Sequence, residues 1–314
     1  MRIAYFGDGR WARSALPLIA TAAGVQVAVV VPRYHNPDRE LMQQAEGLGI
    51  PTRHLRDVNS AEALAALRPF GVDLHVSMSF DQIFRAPFLD AAATINCHAG
   101  ALPFYRGRNV LNWALINGER TFGVTVHHVD TGIDTGDIIL QQHIPISATD
   151  DYASVLTKAE GACATLLHEA VLHIAAGTAK RTPQASIHPV GFYCPRRRDG
   201  DEWIDWQWPS ERVVNFVRGI APPAPGARAM VGDQVVAILQ AEAIPGAPAY
   251  LATPGEVVGR QHGSIVVKTG TSSIRVTQMA AVEGGVVGPG STPALAIGKR
   301  LVAKTQDAPV SRIA

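Results

Sequence analysis

The sequence predicts an α/β fold with a mostly parallel sheet, followed by a small all-β domain. Three observations carry that expectation. Apolar strand-like runs alternate with helical stretches as far as residue 176. A Gly-rich turn joins the first run to the first helix. Beyond residue 228, short Val/Ile runs alternate with Gly-containing turns. Alternating strands and helices imply a parallel sheet covered on both faces. Short strands at even spacing imply a sandwich or barrel.

The elements follow in chain order. Residues 3–6 form a short apolar run ending in Gly7-Asp8-Gly9. An Ala/Leu-rich helix spans 11–23, and 25–31 reads as a buried strand. Helices are expected at 40–47 and 61–67, with a strand at 72–78. A short strand at 94–97 enters a Gly/Pro loop. Strands are expected at 123–129 and 138–144. The long helix 152–176 is announced by the capping signal Thr149-Asp150-Asp151. Residues 187–208 are irregular and hold three of the five Trp, together with Arg196-Arg197-Arg198. A short amphipathic helix, 210–219, ends at Gly219, and Pro222 to Gly226 make a stiff turn. Strands at 235–239, 255–258, 264–267 and 273–276 complete the chain. The boundary falls near residue 205, giving domains of 1–204 and 205–314.

The bulk numbers restrict function. The 314 residues are 47% hydrophobic and 18% charged, enough for a substantial core. A net charge of +1 is too balanced for a protein that wraps nucleic acid. Three widely spaced cysteines, Cys97, Cys163 and Cys194, fit neither a disulfide framework nor a CxxC metal site. They suggest a reducing compartment, hence a cytoplasmic protein, and no metal is expected. The first seven residues lack the apolar core of a signal peptide. No run reaches the roughly 18 apolar residues of a membrane span.

Gly7-Asp8-Gly9-Arg10-Trp11-Ala12 matches a GxGxxA dinucleotide fingerprint. That fingerprint also wants an acidic residue at the end of the second strand. Here Val31-Pro32-Arg33 stands there. Arg33 suits a 2′-phosphate; equally, the glycines serve a tight turn and nothing more.

Asn96 and His98 are two apart at a strand end, so an amide and an imidazole point to one side. They converge beyond the carboxyl edge of the sheet, where ligands of open α/β sheets bind. The bland alternative is a turn-capping Asn and a His bonded to a carbonyl. Asp130-Thr131-Gly132-Ile133-Asp134-Thr135-Gly136-Asp137 reads either as turn chemistry or as a loop that delivers a carboxylate to His98. Its lack of a later Glu and of flanking helices argues against a calcium loop. Cys97 faces opposite to His98 and reads as core. His127-His128 has no third ligand in view. Arg196-Arg197-Arg198 is either a solvated turn or a phosphate site.

Asn96-x-His98, Leu102-Pro103-x-Tyr105-Arg106-Gly107-Arg108 and Ile133-Asp134-Thr135-Gly136-Asp137-Ile138, in that order, resemble the folate-dependent formyltransferase family. Ile204-Asp205-Trp206 and the run from Arg218 to Ala227 resemble the start of the C-terminal domain of its longer members. The last 80 or so residues match weakly. The resemblance implies a Rossmann-like catalytic domain and a C-terminal OB-like barrel. It implies N10-formyl-tetrahydrofolate as cosubstrate and Asn96, His98 and Asp134 as a catalytic triad. The pterin is then expected near Met78, Ser79 and Phe80 and against the loop from Asp130 to Asp137. The amine substrate is expected near Tyr105, Arg106 and Arg108, with Arg106 or Arg108 facing its phosphates. Gly100 departs from the family pattern, in which Ser is common.

The resemblance extends to the choice of amine. Methionyl-tRNA formyltransferases carry a longer, basic insertion after the second strand, whereas residues 32–41 here are few and mixed in charge. Glycinamide ribonucleotide formyltransferases are typically a single, shorter domain. The expectation is therefore a nucleotide-linked amino sugar, on the pattern of the enzyme acting on UDP-4-amino-4-deoxy-arabinose. Methionyl-tRNA and another small biosynthetic amine are the alternatives, ahead of a formyl-folate hydrolase. No nucleic-acid or membrane partner is expected, and an oligomer is allowed.

Overall fold

The computed structural model describes residues 1–304. In chain order the elements are β1 (Arg2–Gly7), α1 (Gly9–Ala20), β2 (Gln26–Val31), α2 (Arg39–Gly47), α3 (Ala61–Leu67), β3 (Leu74–Met78), α4 (Ala86–Leu89), β4 (Ala93–His98), β5 (Arg106–Gly107), α5 (Val110–Ile116), β6 (Thr121–His128), β7 (Ile138–Pro145), α6 (Tyr152–Ala175), β8 (Tyr193–Cys194), α7 (Ser210–Gly219), β9 (Ala227–Val231), β10 (Gln234–Ala243), β11 (Val257–Gln261), β12 (Ser264–Lys268), β13 (Ser273–Glu283), β14 (Val286–Val287) and β15 (Leu301–Val302). They fall into two compact units. One comprises residues 1–110, 121–146 and 156–196; the other comprises 111–120, 147–155 and 197 onward.

The first unit is built on a six-stranded sheet of order β2-β1-β3-β4-β6-β7. The pairings among β2, β1, β3 and β4 are parallel, and β6 runs antiparallel to both β4 and β7. Strands β1 and β3 are buried along nearly all their length, as a sheet covered on both faces requires. One layer of its core is aromatic. Phe6 meets Phe80, Phe84 and Phe88 edge-on, with centroids 5.3–5.5 Å apart. His75 stacks on Phe88 at 4.2 Å, and burial lowers its pKa to about 4. Cys97 is buried with its Sγ 3.6 Å from the Cys163 carbonyl of α6, a core position on the face opposite His98.

The Gly-rich turn after β1 is explained by packing. A Cβ on Gly7 would stand 2.7 Å from the Ala12 Cβ and 2.8 Å from the Met78 carbonyl, and Gly9 has φ +68°. Asp8 is buried and accepts the Asp38 backbone N–H at 2.9 Å. Arg33 lies 3.8 Å from Asp8 and 3.3 Å from Asp81. A buried carboxylate thus stands at the start of α1 without capping it, where a dinucleotide phosphate would sit, and its charge opposes a phosphate there.

The second unit carries the antiparallel sheet β11-β12-β13-β10-β9-β15, with β14 on β13. A bridge between Glu256 and Arg300 brings the strand-like segment before β15 against the start of β11, so the sheet curls back on itself as a small barrel. Val236, Ile238, Ile265, Val267, Ile274 and Val276 fill it, and α7 adds Val213, Phe216 and Val217.

Candidate active site

Strand β4 delivers Asn96 and His98 at its carboxyl end, opposite His127 and Thr125 of β6. The β6–β7 connection delivers Asp134, whose backbone has φ +54°. The structure brings these side chains together in a sheltered place. His98 is 11% exposed, Asp134 14% and His127 2%.

Each group has defined partners. The Asp134 Oδ2 accepts the Gly107 backbone N–H at 2.9 Å and lies 3.7 Å from His98 Nδ1. The Asp134 Oδ1 lies 3.6 Å from His127 Nε2, which is itself 3.4 Å from the Asn96 amide nitrogen. His127 Nδ1 donates to the His128 carbonyl at 2.7 Å, which leaves its Nε2 facing both Asn96 and Asp134. His98 Nε2 donates to the Tyr105 carbonyl at 2.7 Å. The ring is therefore oriented by that carbonyl, and Asp134 acts on it through space rather than through a direct hydrogen bond.

The electrostatics follow from this geometry. Burial holds the His98 imidazole below its ordinary pKa, against the upward pull of Asp134 and of the Tyr105 carbonyl; His127 pushes it further down. Burial also works to raise the Asp134 pKa, but His127, His98 and the Gly107 N–H outweigh it and hold the carboxyl well below the usual range. The resting pair is a neutral imidazole beside a carboxylate. With its proton on Nε2, the imidazole presents bare Nδ1 toward Asp134. A proton taken up there is stabilised by an anion 3.7 Å away.

Gly100 keeps the ring in place by having no side chain. A Cβ there would lie 2.6 Å from His98 Nε2. The departure from Ser at this position is thus matched to the observed His98 rotamer.

Beside the triad lies a cavity of about 140 Å³ lined by Ser77, Phe80, Gln82, Phe84, Val129 and Ile133, among others, with Asn96, His127, Asp130 and Asp134 also in its wall. Polar groups predominate in its lining, and hydrogen-bonding side chains set beside the Phe80 and Phe84 rings suit a flat, polar heterocycle. Of the residues expected around a pterin, Phe80 and Asp130 line this cavity. Met78 is buried at the end of β3, Ser79 forms the turn after it with φ +58°, and Asp137 pairs with Arg181 at 3.2 Å.

Tyr105 is buried and supplies its carbonyl to His98. The Arg106 guanidinium points inward. Its Nε and Nη2 donate to the Gln184 side-chain oxygen at 3.0 and 2.6 Å. The Gln184 amide nitrogen donates to the carbonyls of Asp134 (2.9 Å) and Gly136 (2.8 Å). Gln184 therefore ties the Arg106 loop to the Asp134 loop. Arg108 is exposed. His127 and Gln184 were not expected from the sequence. The signal for His127 is its register opposite Asn96; Gln184 has none, since it lies 50 residues beyond Asp134.

Residues 1–171 match the model of the formyl transferase family, and residues 197–287 match that of the formyl transferase C-terminal domain. The chain belongs to the formyltransferase family. Similar to it is the methionyl-tRNA formyltransferase of Citrifermentans bemidjiense, 32% identical over 292 residues, 89% of this chain and 88% of that one. Among solved structures, the sugar 3N-formyl transferase WlaRD, studied with dTDP and 5-N-formyl-THF, superposes with a TM-score of 0.66 at 20% identity, covering 88% of this chain and 97% of that one. HypX from Aquifex aeolicus in complex with tetrahydrofolic acid gives 0.57 at 20% identity over 90% of this chain, which spans 44% of HypX. These two likenesses show the fold. The chain is an N10-formyl-tetrahydrofolate-dependent formyltransferase.

Proposed function

We propose that this formyltransferase acts on a primary amine through Asn96, His98 and Asp134, and that the amine is the α-amino group of methionyl-tRNA. The catalytic part of the reading rests on the convergence of those three side chains beside the cavity. Its second amide hydrogen lets Asn96 donate to the oxyanion that forms as the amine attacks the formyl carbon. Neutral His98 accepts the proton that the attacking amine loses, at Nδ1, and Asp134 stabilises the imidazolium. As the tetrahedral carbon collapses and the C–N10 bond breaks, the His98 imidazolium gives that proton to N10, so that neutral tetrahydrofolate leaves and His98 returns to its neutral form. The walls at Phe80 and Phe84, with Ser77, Gln82 and Asp130, suit the pterin of the donor. We also propose that residues 1–204 form the catalytic domain and 205–314 the accessory one.

The acceptor reading rests on the relative that is 32% identical over 89% of the chain and is named for methionyl-tRNA. A second reading, an amino sugar on a nucleotide, is favoured by the connection between β2 and α2. Residues 32–38 hold a single Arg and a single Asp, without a basic insertion. Tetrahydrofolate release with methionyl-tRNA, UDP- and dTDP-4-amino sugars, a GDP-amino sugar and buffer alone decides between them. The proposal expects turnover with methionyl-tRNA. Turnover only with a nucleotide sugar would replace the acceptor, and release without any amine would replace transfer by hydrolysis.

A further inference from the structure

Apart from the cavity at Ser77, Phe80 and Asp130, the reacting groups have a second neighbour. Tyr105 joins His98 to a patch of exposed rings. Its ring meets Phe192 edge-on at 4.9 Å, and Phe104 meets Phe192 at 5.5 Å and His188 at 5.1 Å. Phe192 is nonetheless 42% exposed and Tyr193 54% exposed.

These rings are held by backbone. Strands β5 and β8 pair in parallel, Arg106 with Tyr193 and Gly107 with Cys194. The Phe192 carbonyl accepts the Arg106 N–H at 3.2 Å, and the Phe192 N–H donates to the Pro103 carbonyl at 3.3 Å. Two aromatic residues are thus fixed in place with much of their surface in water. Cations sit among them. The Arg106 guanidinium lies 5.5 Å from the Tyr193 ring centre, and exposed Arg108 gives its backbone N–H to the Cys194 carbonyl at 3.1 Å. Exposed Arg196 follows two residues later. Fixed rings bind flat heterocycles by stacking, and adjacent guanidiniums bind phosphate. A purely apolar partner has no use for the arginines.

The geometry points to Phe192 and Tyr193, with Arg108, as a subsite for the terminal nucleotide of the acceptor tRNA. The assignment rests on the methionyl-tRNA reading given above. The ring patch is one residue, Tyr105, away from His98. A base stacked there brings the aminoacyl group that its ribose carries toward His98.

The test uses Phe192→Ala, Tyr193→Ala, Tyr193→Phe and Arg108→Gln in the full chain. With methionyl-tRNA and N10-formyl-tetrahydrofolate, each Ala variant is expected to raise the KM for tRNA roughly tenfold, as loss of one stacked base does. The KM for the folate stays as in wild type, and Tyr193→Phe retains tRNA affinity. Unchanged tRNA KM in both Ala variants overturns the assignment. So does an equal rise in both KM values, or a change of oligomeric mass in the variants, which would make the patch an interface between copies. Fluorescence anisotropy with an uncharged CCA-ended acceptor hairpin separates this assignment from the reaction itself. Binding by wild type that is lost in Phe192→Ala supports the subsite even if methionyl-tRNA is not turned over. Absent binding by wild type, or equal binding by both, overturns it and leaves the reaction class standing.

Discussion

Replacing Gln184 by Ala should uncouple the site from its scaffold. The buried amide makes four hydrogen bonds: two from Arg106 at 3.0 and 2.6 Å, and two to the carbonyls of Asp134 and Gly136 at 2.9 and 2.8 Å. Both Gln184 and Arg106 are under 10% exposed. Alanine leaves two guanidinium donors and two carbonyls facing a void. Hydrogen bonds to a charged group contribute about 1.5–3 kcal/mol each, and stranding a buried charge costs about 3–5 kcal/mol. Water entering the space offsets part of this, so a loss of about 3 kcal/mol is expected in urea unfolding. Under folding conditions kcat should fall at least roughly tenfold, because the Asp134 loop loses its tether. Gln184→Glu separates the two effects. A carboxylate keeps the Arg106 pairing but offers no donor to the Asp134 and Gly136 carbonyls, so stability should recover more than kcat does. A Gln184→Ala protein within about 0.5 kcal/mol of wild type and of equal kcat would refute the tether.

Three further outcomes are expected. In Asp134→Asn, the carboxylate that pulls the His98 pKa upward is gone, so the acid limb of kcat/KM should move to lower pH, with reduced activity throughout; a limb that stays or rises contradicts the through-space coupling. Gly100→Ala puts a Cβ 2.6 Å from His98 Nε2 and should lower kcat about a hundredfold, whereas Gly9→Ala, with open space around its Cβ and φ +68°, should lose only about 1 kcal/mol of stability and no activity; equal kcat in both would contradict the account of the His98 rotamer. His75 resists protonation in the folded state, with a pKa of about 4 against about 6.5 unfolded. The unfolded chain therefore binds the extra proton first, and stability should fall by about 3 kcal/mol from this group as pH drops from 6.5 to 4. A His75→Phe variant should lack that part of the decline, and identical pH profiles for the two proteins would exclude it.

The parts of the fold that the sequence displayed are those whose signal is local. Apolar runs such as Val27 to Val31 in β2, and Ala/Leu-rich stretches such as α6, are visible because burial on two faces or one demands them. The short helix α5 was not expected, because it is only seven residues long and Asn112 interrupts its apolar run. Strand β9, Ala-Arg-Ala-Met-Val, has a single β-branched residue, Val231, at its end, and owes its conformation to pairing with β10. The same division runs through the site. Asn96 and His98 were visible because period-two geometry puts both on one side, and Asp134 because its loop concentrates carboxylates and glycines. His127 and Gln184 owe their places to strand register and to a chain that folds back, which no local pattern records. Arg106, expected to face the substrate, instead directs its guanidinium at Gln184.

The central claim is that Asn96 and His98, with Asp134, carry formyl transfer to an amine. Tetrahydrofolate release from N10-formyl-tetrahydrofolate, followed with and without methionyl-tRNA in wild type, Asn96→Ala and His98→Ala, tests it most directly. The account predicts amine-dependent release in wild type, lowered by about 10²–10³ in Asn96→Ala, as for loss of one oxyanion donor, and abolished in His98→Ala. Amine-dependent release that survives at wild-type rate in either variant would contradict it.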